Sequence, residues 1–136
     1  MQFSNVPAYG GAIGVFVDIV GHAIEFEIVD PAPHFYLNAF HPEYDNLFIA
    51  GLVEAAGLGW EGRNEQAELI ARYIYGIERN HPAAVAFRNL KRAPFPDMRG
   101  GVRYLKLDRM AYYVHKDTYR ATVGRHIHEL RDGGVP

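Results

Sequence analysis

Two segments in the first thirty residues carry the hydrophobic pattern of β-strands. Residues 12–20 (Ala-Ile-Gly-Val-Phe-Val-Asp-Ile-Val) are rich in β-branched side chains, which favours a mostly buried strand over a helix. In residues 24–28, apolar side chains alternate with two glutamates, as expected when one face of a strand is buried and the other is solvated. Two consecutive strands are therefore predicted before the Pro-containing turn at residues 30–33.

A compact apolar run at residues 47–50 predicts a third strand. Turn residues precede the run, and Gly51 follows it directly. This pattern is typical of a buried central strand whose C-terminal end opens into a loop. Ligands favour such strand ends in open α/β sheets, so the loop that begins at Gly51 is a candidate binding site.

The clearest helical pattern covers residues 64–75. An apolar stripe at helical spacing is formed there by Ala67, Ile70, Tyr73 and Ile74. Asn64 is a good N-cap residue. We expect this helix to pack on the sheet through Ala67, Ile70 and Ile74.

Two further helices are predicted in the rest of the chain, over residues 83–92 and from a cap at Asp117 onward. A loop rich in Pro and Gly at residues 93–101 and short strands at 102–107 and 110–114 lie between them. The last helix has an apolar stripe that consists of Tyr119, Val123, Ile127 and Leu130.

Composition and charge narrow the class of protein. The chain has 136 residues, 49% of them hydrophobic, and contains no repeat or long linker, so we expect a single domain. A net charge of −2 without runs of like charge predicts neither a nucleic-acid nor a membrane partner. The chain lacks cysteine, a basic N-terminal region and a long apolar segment, which is compatible with a cytoplasmic protein.

Candidate catalytic motifs are weak when each is taken in context. Gly57, Gly59 and Gly62 match the Gly-x-Gly-x-x-Gly pattern, but residues 52–56 intervene between Gly51 and Gly57, and no strand is predicted after the helix. The seven histidines show no metal-binding spacing, and the single serine stands in no nucleophile motif. Glu54 and Glu61 flank the glycine loop and could act as acid and base, although a solvated position is favoured. No catalytic residue and no metal ligand is predicted.

Three blocks of the chain carry a resemblance to a known family. Residues 40–52 (Phe-His-Pro-Glu-Tyr-Asp-Asn-Leu-Phe-Ile-Ala-Gly-Leu) and 64–76 (Asn-Glu-Gln-Ala at its start) are similar, in order and spacing, to segments near the C-terminus of flavin-containing monooxygenases. Residues 97–104 and 108–114 resemble the C-terminal tail of bacterial members. The resemblance spans roughly residues 24–131.

This resemblance implies a fold, a domain organisation and a set of cofactors. The implied fold is α/β, a partial FAD/NAD(P)-binding domain of the two-dinucleotide-binding type with short extra strands and a C-terminal helix. Residues 1–136 would form one partial domain, with the end of the FAD-binding region in 1–80 and a helical and strand tail in 81–136. FAD and NADPH are the implied cofactors, and Gly51, Leu52 and Gln66 are the implied FAD contacts. The alternative is that Gly51 only turns the chain and Gln66 is solvated.

The implied function is that of the C-terminal portion of a flavin-dependent monooxygenase, which oxygenates a small organic substrate with NADPH and O2. Neither dinucleotide fingerprint of the family has a counterpart in these residues, so we expect a fragment that is inactive alone and does not hold FAD by itself. The alternative function is a small non-catalytic α+β module that self-associates. A homo-oligomer is compatible with both.

Overall fold

The computed structural model describes residues 34–104 and 112–136 with their side chains, and the backbone of four strands within residues 2–33. The strands β1 to β4 form one antiparallel sheet in sequential order. The strand predicted at residues 12–20 corresponds to β2 over residues 12–17, and its residues 18–20 lie outside the described residues; the strand predicted at 24–28 lies within β3. The bounds of the four strands are β1 Gln2–Asn5, β2 Ala12–Val17, β3 Ala23–Val29 and β4 Ala32–Pro33.

Three helices dominate the rest of the described chain: α1 (Gly59–Glu78), α2 (Pro82–Leu90) and α3 (Lys116–Asp132). Helix α2 starts at a proline, whose fixed φ suits the first turn. Helix α3 is capped by the His115 side chain, which accepts a hydrogen bond from the Thr118 amide at 3.4 Å. Helix α1 packs against both α3 and α2.

Glycines set how closely these helices approach one another. A Cβ added at Gly76 of α1 would lie 2.6 Å from the Ala84 Cβ of α2, and one at Gly133 would lie 2.5 Å from the Ala83 Cβ. Since real Cβ atoms essentially never come that close, both positions accept only glycine without movement of the neighbouring element.

The core of the helical body is aromatic. The rings of Tyr36, Phe40, Tyr73 and Phe87 meet mostly edge to face, with centroids 5.0 to 5.7 Å apart. Helix α3 contributes the stripe that was predicted for it, since Tyr119, Val123, Ile127 and Leu130 are all buried.

The predicted α/β fold class, a partial FAD/NAD(P)-binding domain, is wrong. A fold of that type alternates parallel strands with helices, whereas the strands here are antiparallel neighbours along the chain. From residue 34 onward, the described residues contain three helices and only isolated β-bridges, so this part of the protein is mostly helical. The helices bury their apolar faces against one another and against the aromatic segment 35–40.

The predicted central strand at residues 47–50 is also wrong. Phe48 forms a single antiparallel bridge with Phe40, residues 47–49 are only half-buried, and Ala50 is exposed. An apolar run is compatible with a short loop that covers a core, because periodicity alone does not specify a strand in so few residues.

The helix predicted at residues 64–75 exists, but it is longer and turned differently from the prediction. It begins at Gly59, and it buries Gly62, Gln66, Leu69, Tyr73 and Gly76. Ala67 and Ile74, which were expected to face a sheet, are exposed. Tyr73 of the predicted stripe is buried, and Ile70 is half-buried. Two of the other buried positions are glycines and one is a glutamine, so the hydrophobic pattern located only part of the buried face.

The remaining elements agree in part. Helix α2 matches the prediction within two residues. The prediction of a last helix is confirmed, but its predicted cap is wrong, since His115 is the N-cap and Asp117 lies in the first turn. Five of the eleven residues in the two short strands predicted at 102–107 and 110–114 lie outside the described residues, and residues 102–104, which are described, form no strand. Within the described part, Tyr113 pairs with Glu54 in one parallel bridge.

Candidate functional site

The turn at Gly51 brings together two of the three residues predicted to contact FAD. The Gly51 amide donates a hydrogen bond of 2.7 Å to Oε1 of Gln66 on α1. Leu52 follows at the surface of the same turn and is half-buried. Gly51 has φ +84°, a conformation that favours glycine, and a Cβ built on it meets no atom within 4 Å. The turn therefore presents open backbone on one side and is held on the other by Gln66.

Gln66 is the centre of a buried hydrogen-bond network. Its Nε2 donates to the Tyr119 hydroxyl at 2.8 Å, and that hydroxyl donates to the Leu37 carbonyl at 2.9 Å. Gln66 is 1% exposed, and burial raises the pKa of Tyr119. The side chain therefore links the Gly51 turn, α1, α3 and segment 35–40, and it reaches a ligand only through Gly51.

The glycine loop before α1 is explained by packing. Helix α1 starts at Gly59, and Gly62 lies inside it, where a Cβ would stand 2.3 Å from Cδ1 of Leu58. Glu54 and Glu61, the candidate acid and base, pair instead with Arg63 and Arg120, each at 3.1 Å. The two carboxylates therefore bind different arginines, and this geometry does not direct them at one substrate as an acid–base pair would be.

A second polar cluster, which the sequence analysis missed, surrounds Lys91 at the end of α2. Lys91 is 0% exposed, and its Nζ donates to the backbone oxygens of His41, Pro42 and Tyr44 at 2.8 to 3.1 Å. The Asp45 carboxylate lies 3.0 Å from the same nitrogen. Lys91 thus ties the loop 41–45 to α2.

Asp45 also accepts hydrogen bonds from Tyr73 at 2.9 Å and from Arg88 at 3.4 Å. Burial by itself raises the pKa of Asp45, but the hydrogen bonds from Lys91 and Tyr73 outweigh it and hold the pKa below its usual range. Burial lowers the pKa of Lys91, and burial together with Asp45 raises that of Tyr73. A basic residue at the end of a predicted helix was visible in the sequence, but nothing marked it as buried.

A third cluster joins segment 35–40 to α3. The Tyr36 hydroxyl lies 3.1 Å from Nε2 of His126, and Nδ1 of His126 lies 2.9 Å from Glu129. Burial raises the pKa of Tyr36 and lowers that of His126, which is 2% exposed. The tyrosine, histidine and carboxylate are arranged as a proton relay would be, but the Tyr36 side chain is buried in the aromatic core.

One cavity of about 430 Å³ opens between segment 35–38 and residues 95–99. Apolar side chains, among them Phe35 and Met98, form part of its walls, and Asn38 and Arg99 are polar residues in its lining. None of the three residues predicted to contact FAD lines it.

The part of the chain that the structure describes contains no group of three His, Asp or Glu side chains arranged to hold a metal ion. Within the same residues, no helix is long and apolar enough to cross a membrane. Comparison with known protein families, with curated proteins and with solved structures finds no match for this chain.

Proposed function

We propose that the chain is the C-terminal portion of a flavin-dependent monooxygenase, and that the complete enzyme uses FAD, NADPH and O2 to oxygenate a small organic substrate. The sequence resemblance carries the proposal. One observation supports it: the blocks that resemble the family pack directly on one another.

The contacts between the first two blocks are close and varied. Gly51 of the first block is hydrogen-bonded to Gln66 of the second, and Asp45 is hydrogen-bonded to Tyr73. The rings of Phe40 and Phe48 lie edge to face against that of Tyr73, with centroids 5.5 and 6.0 Å away. Two segments that depend on each other in this way are expected to retain their sequence pattern together.

The third block is attached to the same unit. Glu54, two residues after the first block, exchanges backbone hydrogen bonds with Tyr112 and Val114 at 3.0 and 2.8 Å. The His115 amide donates to the Met98 carbonyl at 2.8 Å. The described part of the third block is therefore attached to the chain at Glu54, three residues after Gly51.

In the proposed enzyme the Gly51 turn approaches FAD through its backbone. Bound FAD would supply the oxygen-transfer chemistry, and this portion of the chain would contribute shape and orientation. The open space beside Gly51 fits a close approach of backbone to a ligand, and Leu52 would add an apolar contact. Gln66 would position the turn by holding the Gly51 amide. A cytoplasmic location, where NADPH is supplied, belongs to the same proposal.

The test is a chimera in which residues 24–131 replace the matching segment of a bacterial flavin-containing monooxygenase. We expect the purified chimera to retain FAD and to oxidise NADPH. Its Gly51→Val variant should lose FAD, because φ +84° is strained for a β-branched residue and the side chain would fill the approach to the turn.

The matched control replaces the segment with that of a second bacterial member at the same junctions. If the control chimera folds and holds FAD while ours does not, the proposal is wrong. The isolated chain is expected to leave NADPH oxidation at background, and consumption that rises with protein concentration would contradict its assignment as an inactive portion.

A second candidate function is the small non-catalytic α+β module that self-associates. It is favoured by the exposed apolar face of α1, which includes Ala67 and Ile74. Flavin retention by the chimera separates the two candidates, because a self-sufficient module has no reason to restore a cofactor site.

A further inference from the structure

Helix α1 has a regular row of exposed side chains on the face opposite the one that it buries. Its outward positions follow one another at intervals of four and three residues, which is the 3.5-residue period of a coiled-coil seam. Trp60 is 86% exposed, and Ile74 and the neighbouring Tyr75 are each 37% exposed. We call this surface the outer seam of α1, and it consists of Trp60, Asn64, Ala67, Ala71, Ile74 and Glu78.

The side chains of the outer seam suit a second helix. Ala67 and Ala71 lie at its middle, where small residues allow two helix backbones to approach closely. Larger side chains, Trp60 and Ile74, lie towards its two ends. An isolated exposed apolar residue is ordinary, but four apolar side chains in one row, a tryptophan among them, indicate a contact surface.

Charges beside the outer seam favour one orientation of the second helix. The flank of the N-terminal half carries Glu61, Glu65 and Glu68, and the same flank of the C-terminal half carries Arg72 and Arg79. A parallel copy of α1 would turn this flank towards the opposite flank of the partner, so its acidic and basic halves would not meet. An antiparallel copy, centred between Ala67 and Ala71, would place the acidic half of each helix beside the basic half of the other.

The outermost charges are free to take part. The side chains of Glu61 and Arg79 are 79% and 53% exposed. Glu61 pairs with Arg120 at 3.1 Å, and Arg79 lies 3.7 Å from the centre of the Tyr75 ring. Both groups keep solvent-facing donors or acceptors beyond these contacts, so each can also reach a partner helix.

We propose that the outer seam binds a second copy of this chain, with the two α1 helices antiparallel around a two-fold axis between Ala67 and Ala71. Glu61 then lies beside the partner's Arg79, and the symmetry repeats the pair. Trp60 covers the C-terminal end of the partner helix. This inference does not depend on the monooxygenase proposal.

Sedimentation velocity across the micromolar range tests the dimer. We expect a monomer–dimer equilibrium that Ala71→Glu abolishes, because two carboxylates would be buried near the axis. The control is Ala121→Glu, which places the same charge on the exposed face of α3 and should leave the equilibrium unchanged. Circular dichroism of each variant shows whether the helices remain folded.

Charge reversal tests the orientation. Glu61→Arg and Arg79→Glu should each raise the dimer dissociation constant by about tenfold, since each turns two opposite-charge contacts into like-charge contacts. The double variant restores opposite charges and should recover the original constant. The proposal is overturned by a chain that stays monomeric, by a dimer that tolerates Ala71→Glu, or by a double variant that does not recover.

Discussion

Lys91 offers the sharpest test of how the helical body is held together. Replacing it with methionine keeps most of the length and the apolar stem but removes the ammonium group. The backbone oxygens of His41, Pro42 and Tyr44 then lose their shared donor, and Asp45 loses a partner at 3.0 Å. The loop 41–45 loses its main attachment to α2.

The loss of unfolding free energy in Lys91→Met depends on how deeply Lys91 and Asp45 are buried. A hydrogen bond from a charged donor is worth about 1.5–3 kcal/mol, and removal of one partner of a buried pair costs about 3–5 kcal/mol. The Asp45 side chain is 30% exposed and keeps its hydrogen bond from Tyr73, which reduces the penalty. We expect Lys91→Met to lower the free energy of unfolding by about 3 kcal/mol.

Urea unfolding followed by far-ultraviolet circular dichroism measures this loss. Fluorescence is a poor probe because Trp60, the only tryptophan, is already 86% exposed in the folded chain. The control is Lys116→Met, since Lys116 is 40% exposed and its nearest acid lies 3.7 Å away. That change should cost less than about 0.5 kcal/mol.

Asp45→Asn separates the ion pair from the carbonyl contacts and should cost about 1–2 kcal/mol, because Lys91 keeps its three oxygens. A loss below about 1 kcal/mol for Lys91→Met would refute the argument that Lys91 anchors the loop. Equal losses for the lysine and aspartate variants would place the stabilisation in the ion pair instead.

Two further predictions concern the other buried clusters. Burial places the pKa of His126 in the folded chain below its ordinary value of 6.5. The folded state therefore favours the neutral imidazole, and the resulting stability is fully present above pH 6.5 and is lost as pH falls through the folded pKa. Thermal unfolding from neutral to mildly acidic pH should show this fall in stability, and His126→Gln should flatten it; an unchanged slope in the variant would assign the fall to other groups. Gln66→Leu removes the acceptor of the Gly51 amide and the donor to the Tyr119 hydroxyl, which keeps its bond to the Leu37 carbonyl. We expect the free energy of unfolding in urea to fall by about 2 kcal/mol. Tyr119→Phe should cost about 1 kcal/mol, and a Gln66→Leu variant as stable as the parent would show that Gln66 is not a structural link.

The sequence predicted where the helices lie better than it predicted which of their faces are buried. Helix α3 was found with its buried stripe because its apolar side chains repeat at 3.6 residues and its core contacts are hydrophobic. Helix α1 was found, but its buried face was only partly predicted, since Tyr73 is buried whereas Ala67 and Ile74 are exposed. Its buried face contains Gly62, Gln66 and Gly76, which are there for close approach and hydrogen bonding, and a hydrophobic pattern does not register either role.

The candidate site shows the same limit. Gly51 and Gln66 were selected through a family resemblance, and they do meet, at 2.7 Å. Their network continues to Tyr119, which lies 53 residues after Gln66. From there it reaches Leu37, which lies 82 residues before Tyr119. Lys91 and His126 were not recognised as buried, because charged and titratable residues are normally assigned to the surface unless a partner distant in sequence is known.

The bonds between segment 35–40 and α3 have a consequence for synthesis of the protein. Tyr36 contacts His126 across 90 residues, and Leu37 contacts Tyr119 across 82. A nascent chain therefore cannot complete the contacts of Tyr36 and Leu37 until α3 has left the ribosome, and only then can this part of the core close. A stop codon before Lys116 would remove the α3 partners of Tyr36 and Leu37, and such a truncated product should be a substrate for chaperones and proteases rather than a smaller folded protein.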